Sequence, residues 1–536
     1  MTTPAVSTAR KWATLVLCCL AGLVLAIDMT ALHLAIPGLI RDLDPTATQI
    51  LWIADAYGFA LAGLLVTMGG LGDRIGRKRL LLIGMAAFAG ASAATAYASS
   101  PELLIAARAL LGVAGATIMP STLSIVRNVF TDPRERTTAV GISTGVVGAG
   151  IGLGPVLGGA VLDHFWWGSV FLINVPTMAA ILVAAVFVLP ESRDPKPGRL
   201  DLPSVPLSIV GVLGVVYAIT ESTHGGVGQP AVLVALGIGV LGLALFVRRQ
   251  SRLAEPLIDV RLFRRAAFSG SIGANLFAMF AMVAQSLIFA QYFQLVLGWS
   301  PWQAGLAGLP GALAAMTGGA LAAPLITALG RARVVALGMA VSAAGFVVYV
   351  LVTGADGGYL PMLGAMLPAG FGMGMALTVT ADTILASVSK DRAGAASAIS
   401  ETATELGGAL GMAVLGSVLN AAYRGSLDLP AGLPAGAADG VRDSLGGALQ
   451  VAGALPGQLA GQVVAAARGA FLDGMHVALY CSAGMAALVA LAALVTLRSV
   501  PKVIEEPATD DEATPTDDEA TPTGGERATG LVPARR

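Results

Sequence analysis

Apolar residues along this chain alternate with polar ones at neither a strand nor a surface-helix period. They come in runs of about 20 separated by short polar or Pro/Gly-rich breaks, the pattern of helices that cross a bilayer. The runs lie near 12–36, 49–70, 79–98, 103–126, 139–162, 168–189, 204–222, 230–248, 267–295, 303–328, 334–353, 359–383, 397–420 and 474–497, which makes fourteen spans. Charge orders them. With both termini cytoplasmic, each of the 32 Lys and Arg residues falls on the inner side except Arg41, Arg424, Arg442 and Arg468 in outer segments and Arg108 within the fourth span. That sorting is what the positive-inside rule demands, and one span more or fewer would flip half the chain. The first run lacks a small-residue cleavage site and reads as a retained helix rather than a leader.

An internal repeat divides the spans. The inner loop after the second reads "GRKRLLLIG" (Gly76 to Gly84), and the loop after the tenth reads "GRARVVALG" (Gly330 to Gly338). Glycine, arginine, arginine and glycine recur at identical spacing, which points to two related halves. The expected organisation is a six-helix bundle over 1–200, two linker spans over 201–253, and a second six-helix bundle over 254–500. The outer loop 421–473 is expected to carry a helical hairpin, and 501–536 to form an acidic, disordered tail that repeats "DDEATPT". Transporters built from such repeats hold substrate near the midplane between them.

Composition narrows the function. The chain is 55% hydrophobic and 12% charged, where soluble proteins carry about 25% charge. A net charge of −1 selects no partner, and nothing suggests nucleic acid. Cys18, Cys19 and Cys481 lie in apolar runs, and His33, His164, His224 and His476 are scattered, so neither a disulfide framework nor a metal or cofactor site is expected. No GxxxxGK[ST] loop is present to drive an ATP pump, and no nucleophile–base cluster suggests an enzyme. An uncoupled channel remains an alternative, although it gives no reason for the repeat.

Ionisable residues inside apolar runs carry the chemistry. "SAISETATELGGALG" (Ser397 to Gly411) holds Glu401 and Glu405, four apart and so on one helix face. Each costs about 2.5–3.5 kcal/mol at the bilayer centre. Carboxylates facing a shared cavity can hold either a proton or a lipophilic cation, and competition for them is enough to exchange the two. Arg108 needs a partner or a wet cavity. Asp382, near the inner end of the twelfth span, is expected to be exposed. Rings and thioethers favour cations, making Met29, Tyr57, Phe280, Phe289 and Tyr292 pocket candidates, with Phe277, Met279, Met282 and Phe293 behind them.

Several motifs match a known pattern. "GGLGDRIGRKR" (Gly69 to Arg79), with Gly69, Asp73, Arg74, Gly76, Arg77 and Lys78, resembles the signature loop of the major facilitator superfamily. "RALLG" (Arg108 to Gly112) resembles the exporter motif whose arginine is implicated in proton coupling. "GVVGAGIGLGPVLGG" (Gly145 to Gly159), with Gly154, Pro155, Gly158 and Gly159, resembles the antiporter motif. With "LAIDMTALHLAIP", "TQILWIADAYGFALAG" and "FLINVP", the chain resembles the fourteen-span drug:proton antiporter family of QacA-like multidrug exporters.

The resemblance implies an all-α integral membrane protein of major facilitator fold, two six-helix bundles plus two central linker helices. It implies a monomeric, multi-pass plasma-membrane antiporter that exports lipophilic cationic drugs (quaternary ammonium compounds, ethidium, acridine dyes) against protons by alternating access, with lipid and protons as its other partners. A dedicated antibiotic or metabolite exporter of the same fold is the alternative. Functional acids of the first, second and thirteenth spans map onto Asp28, Asp55, Glu401 and Glu405. The tenth-span acid that such exporters use for divalent cations has no match in "PGALAAMTGG" (Pro310 to Gly319), so monovalent cations are expected.

Overall fold

Helices account for nearly all regular structure in the computed structural model. It describes residues 7–502 except 46, 163, 192–200, 202, 226–227, 254–255, 257–259, 355–357, 389–392 and 435. The expected tail beyond 502 lies outside the described residues, as do the side chains of Asp55 and Pro155.

The first half runs α1 (Thr8–Leu43), α2 (Ala47–Ile75), α3 (Arg77–Ala96), α4 (Pro101–Val129), α5 (Pro133–Leu162), the one-turn α6 (Ser169–Leu172) and α7 (Asn174–Val188). A hairpin of α8 (Ser204–Gly225) and α9 (Pro230–Gln250) follows. Next come α10 (Ala266–Gln291), α11 (Pro301–Ala320), α12 (Ala322–Leu329), α13 (Arg331–Val352), α14 (Tyr359–Ala386) and α15 (Ala393–Ser426). The short α16 (Ala437–Asp443) and α17 (Leu445–Ala452) precede α18 (Gly457–Thr496). Among the described residues nine helices are by themselves long and apolar enough to cross a membrane, and up to eleven if each bent pair counts as one span. Each of the fourteen predicted runs falls on a helix or, at 168–189 and 303–328, on two consecutive helices.

Local chemistry sets the ends. Ser100 accepts from the Leu103 amide and Pro101 opens α4, while Ser300 and Gln303 form a reciprocal capping box ahead of Pro301. Gly76 and Gly330 start α3 and α13 at φ 106° and 86°, a region that favours glycine. The repeated turn seen in sequence is therefore one backbone conformation used twice.

Two large cores form. One gathers Leu25, Leu61, Phe88, Leu111 and Phe130 from the first half, the other Met339, Phe346, Tyr349, Phe471 and Met475 from the second. A smaller cluster of Val140, Phe246, Phe268, Ile384 and Ile399 joins them. Helix α8 rests on both α2 and α15, and Thr67 and Ser208 hydroxyls meet at 3.5 Å. Glycines 211, 214, 239 and 242 bring α8 and α9 into backbone contact.

The outer region differs from expectation. "GQLAGQVVAAARGAF" is no separate hairpin arm but the start of α18, a helix of 40 residues and so about 60 Å long. It continues unbroken because Val463, Ala467, Ala470 and Phe471 bury one apolar face. Gly474 sits close to the Leu419 carbonyl, where a Cβ would come within 2.7 Å. "SLGGALQVAGALP" supplies only the short α17, and the Tyr423 hydroxyl ties down the preceding α16 by donating to the Val441 carbonyl at 2.7 Å.

Candidate functional site

The first polar cluster lies inside the helices of the first half. Gly112 of α4 presses on α2 so closely that a Cβ would stand 2.3 Å from the Tyr57 carbonyl oxygen. That approach brings Tyr57 to Arg108, whose guanidinium carbon lies 4.9 Å from the Tyr57 ring centre and 5.8 Å from that of Phe171. Gly154 and Gly150 of α5 hold α1 equally close: a Cβ on Gly154 would meet Thr30 Oγ1 and the Ile27 carbonyl. These contacts fix the stretch of α1 around Asp28.

Asp28 is 2% exposed and Arg108 1%. Arg108 Nη1 donates to Asp28 Oδ2 at 2.9 Å, and Arg108 Nε donates to the Ile53 carbonyl at 3.4 Å. The other carboxylate oxygen, Oδ1, accepts from Asn174 Nδ2 at 2.7 Å, and the same amide nitrogen donates to Ser92 Oγ at 2.8 Å. Both oxygens of Asp28 are thus engaged. The Tyr57 hydroxyl, buried beside this network, has no hydrogen-bond partner among the described residues, and it lies in the electrostatic reach of Asp28, Arg108 and Glu405.

The second group is on α15. Gly407 and Gly411 seat α15 on α10, where a Cβ would come within 2.2 Å of the Leu276 and Phe280 carbonyls. One turn earlier on that face, Asn275 of α10 reaches Ser400 Oγ at 3.4 Å and Thr404 Oγ1 at 3.1 Å. With that face committed to α10, Glu401 and Glu405 turn elsewhere. Both are partly exposed. Among the described residues neither takes part in a hydrogen bond or an ion pair, although each feels the charges around it. Two unpartnered acids on one face of an embedded helix can accept protons or a cation.

A third group joins the halves on the side predicted to be cytoplasmic. Asp73 accepts from Arg77 Nε at 2.9 Å and Nη2 at 2.6 Å, and from the amides of Gly394 and Ala395 at 3.1 Å each. It therefore pairs with both a neighbouring arginine and the N-terminus of α15, where a carboxylate is favoured. Gly69 permits this, since a Cβ there would meet the Gly394 carbonyl at 2.5 Å. Arg74 and Lys78 turn to the carbonyls of Gly70 and Val186.

Asp382 departs from expectation. It is wholly buried, held by Arg136 Nε and Arg331 Nη2 at 2.8 Å each. Two arginines from α5 and α13 converge on it, and one of them is the arginine that repeats the role of Arg77 in sequence. Arg127 of α4 adds bonds to the carbonyls of Leu385 at 2.7 Å and Val388 at 2.6 Å, closing the end of α14.

The pocket candidates separate. Tyr57 joins the Asp28 cluster, and Met29 packs partly exposed against the first core. Phe289 and Tyr292 instead lie within the second core: the rings of Phe289 and Tyr349 are 4.3 Å apart, and the Tyr292 hydroxyl donates to the Gly354 carbonyl at 2.9 Å. Phe280 packs with Leu415. In this conformation those three rings present no open face. Gly159 has nothing within 4 Å of a Cβ, unlike Gly154, so the two halves of its motif sit in different surroundings. Asn174, Ser92, Asn275, Arg136 and Arg331 were not singled out from sequence as site residues. "FLINVP" marked the segment of Asn174, but nothing in its spacing pointed at Asp28.

Comparison with known proteins agrees with this architecture. A profile of the Major Facilitator Superfamily matches residues 18–412. The chain is 44% identical to the multidrug efflux pump LfrA of Mycolicibacterium smegmatis over 79% of its own length and 83% of that protein. It is 36% identical to the methyl viologen resistance protein SmvA of Salmonella typhimurium over 90% of this chain and 97% of that one. The tetracenomycin C resistance and export protein of Streptomyces glaucescens is 31% identical over 76% of each. Among solved structures, the human organic anion transporter MFSD10 superposes with a TM-score of 0.56, covering 90% of this chain and 99% of that chain at 16% identity, a likeness of fold.

Proposed function

We propose that this chain, which belongs to the Major Facilitator Superfamily, is a proton-driven exporter of lipophilic cations such as quaternary ammonium compounds, ethidium and acridine dyes, working at the plasma membrane by alternating access. The observation that carries the reading is the pair Glu401 and Glu405, partly exposed and, among the described residues, without a hydrogen bond or ion pair, on a helix embedded between α2, α10 and α18. A delocalised cation entering that space meets two acids on one helix face. A proton and the cation then compete for the same carboxylates, and the competition couples their opposite movements. The two bundles rock about this site, with the linker hairpin α8–α9 between them.

Asp73 gives the exchange a mechanical route. It belongs to the first half but caps α15 of the second, two turns before Glu401. Opening toward the predicted cytoplasmic side breaks that cap together with the Arg136–Asp382 bridge, so charge at the glutamates and contact between the halves share one helix.

The test is proton release from detergent-solubilised protein on adding ethidium, with Glu401→Gln and Glu405→Gln alongside wild type. Release from wild type that one substitution abolishes supports exchange at the pair. Release that survives both moves coupling to Asp28 or another acid. Silence from wild type discards ethidium exchange.

A second reading has a specific observation behind it: the tetracenomycin C relative exports a single antibiotic by its name, so a dedicated exporter would show resistance confined to one compound. The name of the SmvA relative also bears on charge, because methyl viologen is a dication. Comparing it with ethidium as competitor tests the expectation of monovalent substrates.

A further inference from the structure

Among buried polar groups outside the candidate substrate space, Asn174 has an unusual position. Asp28 is enclosed by Arg108 from α4, Asn174 from α7, Ser92 from α3 through Asn174, and Tyr57 from α2, with Glu405 of α15 in electrostatic reach of Tyr57. Arg108 can only donate, so the oxygen it holds, Oδ2, cannot present a proton to it. A proton arriving at Asp28 must sit on Oδ1, facing Asn174. Lysine or arginine in that place would oppose it. An amide does not, because it carries a donor and an acceptor on one rotatable group.

We infer that Asn174 is the positioning residue that lets buried Asp28 exist in both protonation states, by turning its amide over. In the arrangement seen, Nδ2 donates twice, to Asp28 Oδ1 at 2.7 Å and to Ser92 Oγ at 2.8 Å. After protonation and a half-turn of the amide, Oδ1 of Asn174 accepts twice, from the Asp28 hydroxyl and from the Ser92 hydroxyl. Asn174 keeps two hydrogen bonds to Asp28 and Ser92 in each state, and the Ser92 hydrogen turns with the amide. The proton that binds Asp28 is thereby registered on α7 and α3. This inference rests on the proton-exchange reading above and assigns that reading a residue it did not contain.

The bond to the carboxylate is charge-assisted and about twice as strong as its neutral counterpart. Removing the amide therefore costs the ionised form more and moves half-protonation to higher pH. The experiment is dye efflux from proteoliposomes holding the full chain, measured across pH for wild type, Asn174→Leu and Ser92→Ala. Asn174→Leu is expected to move the midpoint of the profile up by about one pH unit, with dye affinity at the favourable pH unchanged. Ser92→Ala removes one neutral bond from each protonation state and should leave the midpoint near that of wild type. If Asn174→Leu does not fold, Asn174→Ala, which removes the same amide, carries the test. A wild-type profile that depends on pH while the variants only lower the rate at every pH, with no midpoint moved, overturns the role of Asn174 and leaves the exchange reading standing. A wild type indifferent to pH overturns both.

Discussion

Asp28 and the Glu401–Glu405 pair are acids in the same membrane-embedded interior under opposite constraints. Asp28 has each oxygen bonded, one to Arg108 and one to Asn174, and is closed off. The glutamates are partly exposed and have no hydrogen bond or ion pair among the described residues. A clamped acid resists a bulky cation, because binding would require displacing a guanidinium. An unclamped acid offers its charge to whatever enters. The difference teaches that an intramembrane acid is not one kind of signal: its partners decide whether its charge is already engaged or open to a ligand.

The contrast can be broken at its stronger end first. Arg108→Ala leaves Asp28 buried without its cation, and removing one partner of such a pair costs about 3–5 kcal/mol. Thermal unfolding in detergent should fall accordingly and dye efflux should vanish, while adding Asp28→Asn should restore much of the stability but none of the transport. If Arg108→Ala unfolds like wild type, the clamp is not what holds Asp28.

Glu401→Gln and Glu405→Gln should behave in the reverse way, with stability within about 1 kcal/mol of wild type and cation-driven proton release lost in at least one. Unfolding measured beside exchange would reveal any hidden structural role. A smaller effect sharpens the comparison: Gly112→Ala pushes a methyl against the Tyr57 carbonyl, and such overpacking costs about 1–3 kcal/mol. It should shift Tyr57 off Arg108, which a fall in dye efflux without loss of folding would report.

The smallest effect comes from a pair outside the spans. Arg249 bonds Asp201 at 2.6 and 2.7 Å and holds its carboxyl down at about 2. A depressed carboxyl contributes stability above its unfolded value of 3.8 and loses it as pH falls toward 2. Asp201→Asn should therefore flatten only that acid limb of the unfolding curve, and high salt should weaken even this difference because the pair is partly exposed.

Much of this arrangement was legible in the residues. The spans follow from apolar length and charge sorting, because the bilayer imposes both. The turns at Gly76 and Gly330 showed as a repeat because one backbone conformation needs glycine at each. Glu401 and Glu405 stood out because charge is rare in such runs. Partners were harder to read. Asp382 looked exposed because a position near a span end says nothing about Arg136, which is 246 residues away in sequence. Asn174 carried no charge to draw notice, and an amide joins a network only through three-dimensional contact. The length of α18 was missed because its first turns are only weakly apolar, and the face they bury is supplied by α15 and α17.

That last helix has a use of its own. The hydrocarbon core is about 30 Å thick, so a rod of 40 residues stands well clear of it at the Gly457 end. Its shaft packs along α13 and α15 of the second half and must lean when they lean. The outer end is a pointer: a label near Gly457 would sweep farther than any residue in the bilayer, making the transport cycle readable from the water.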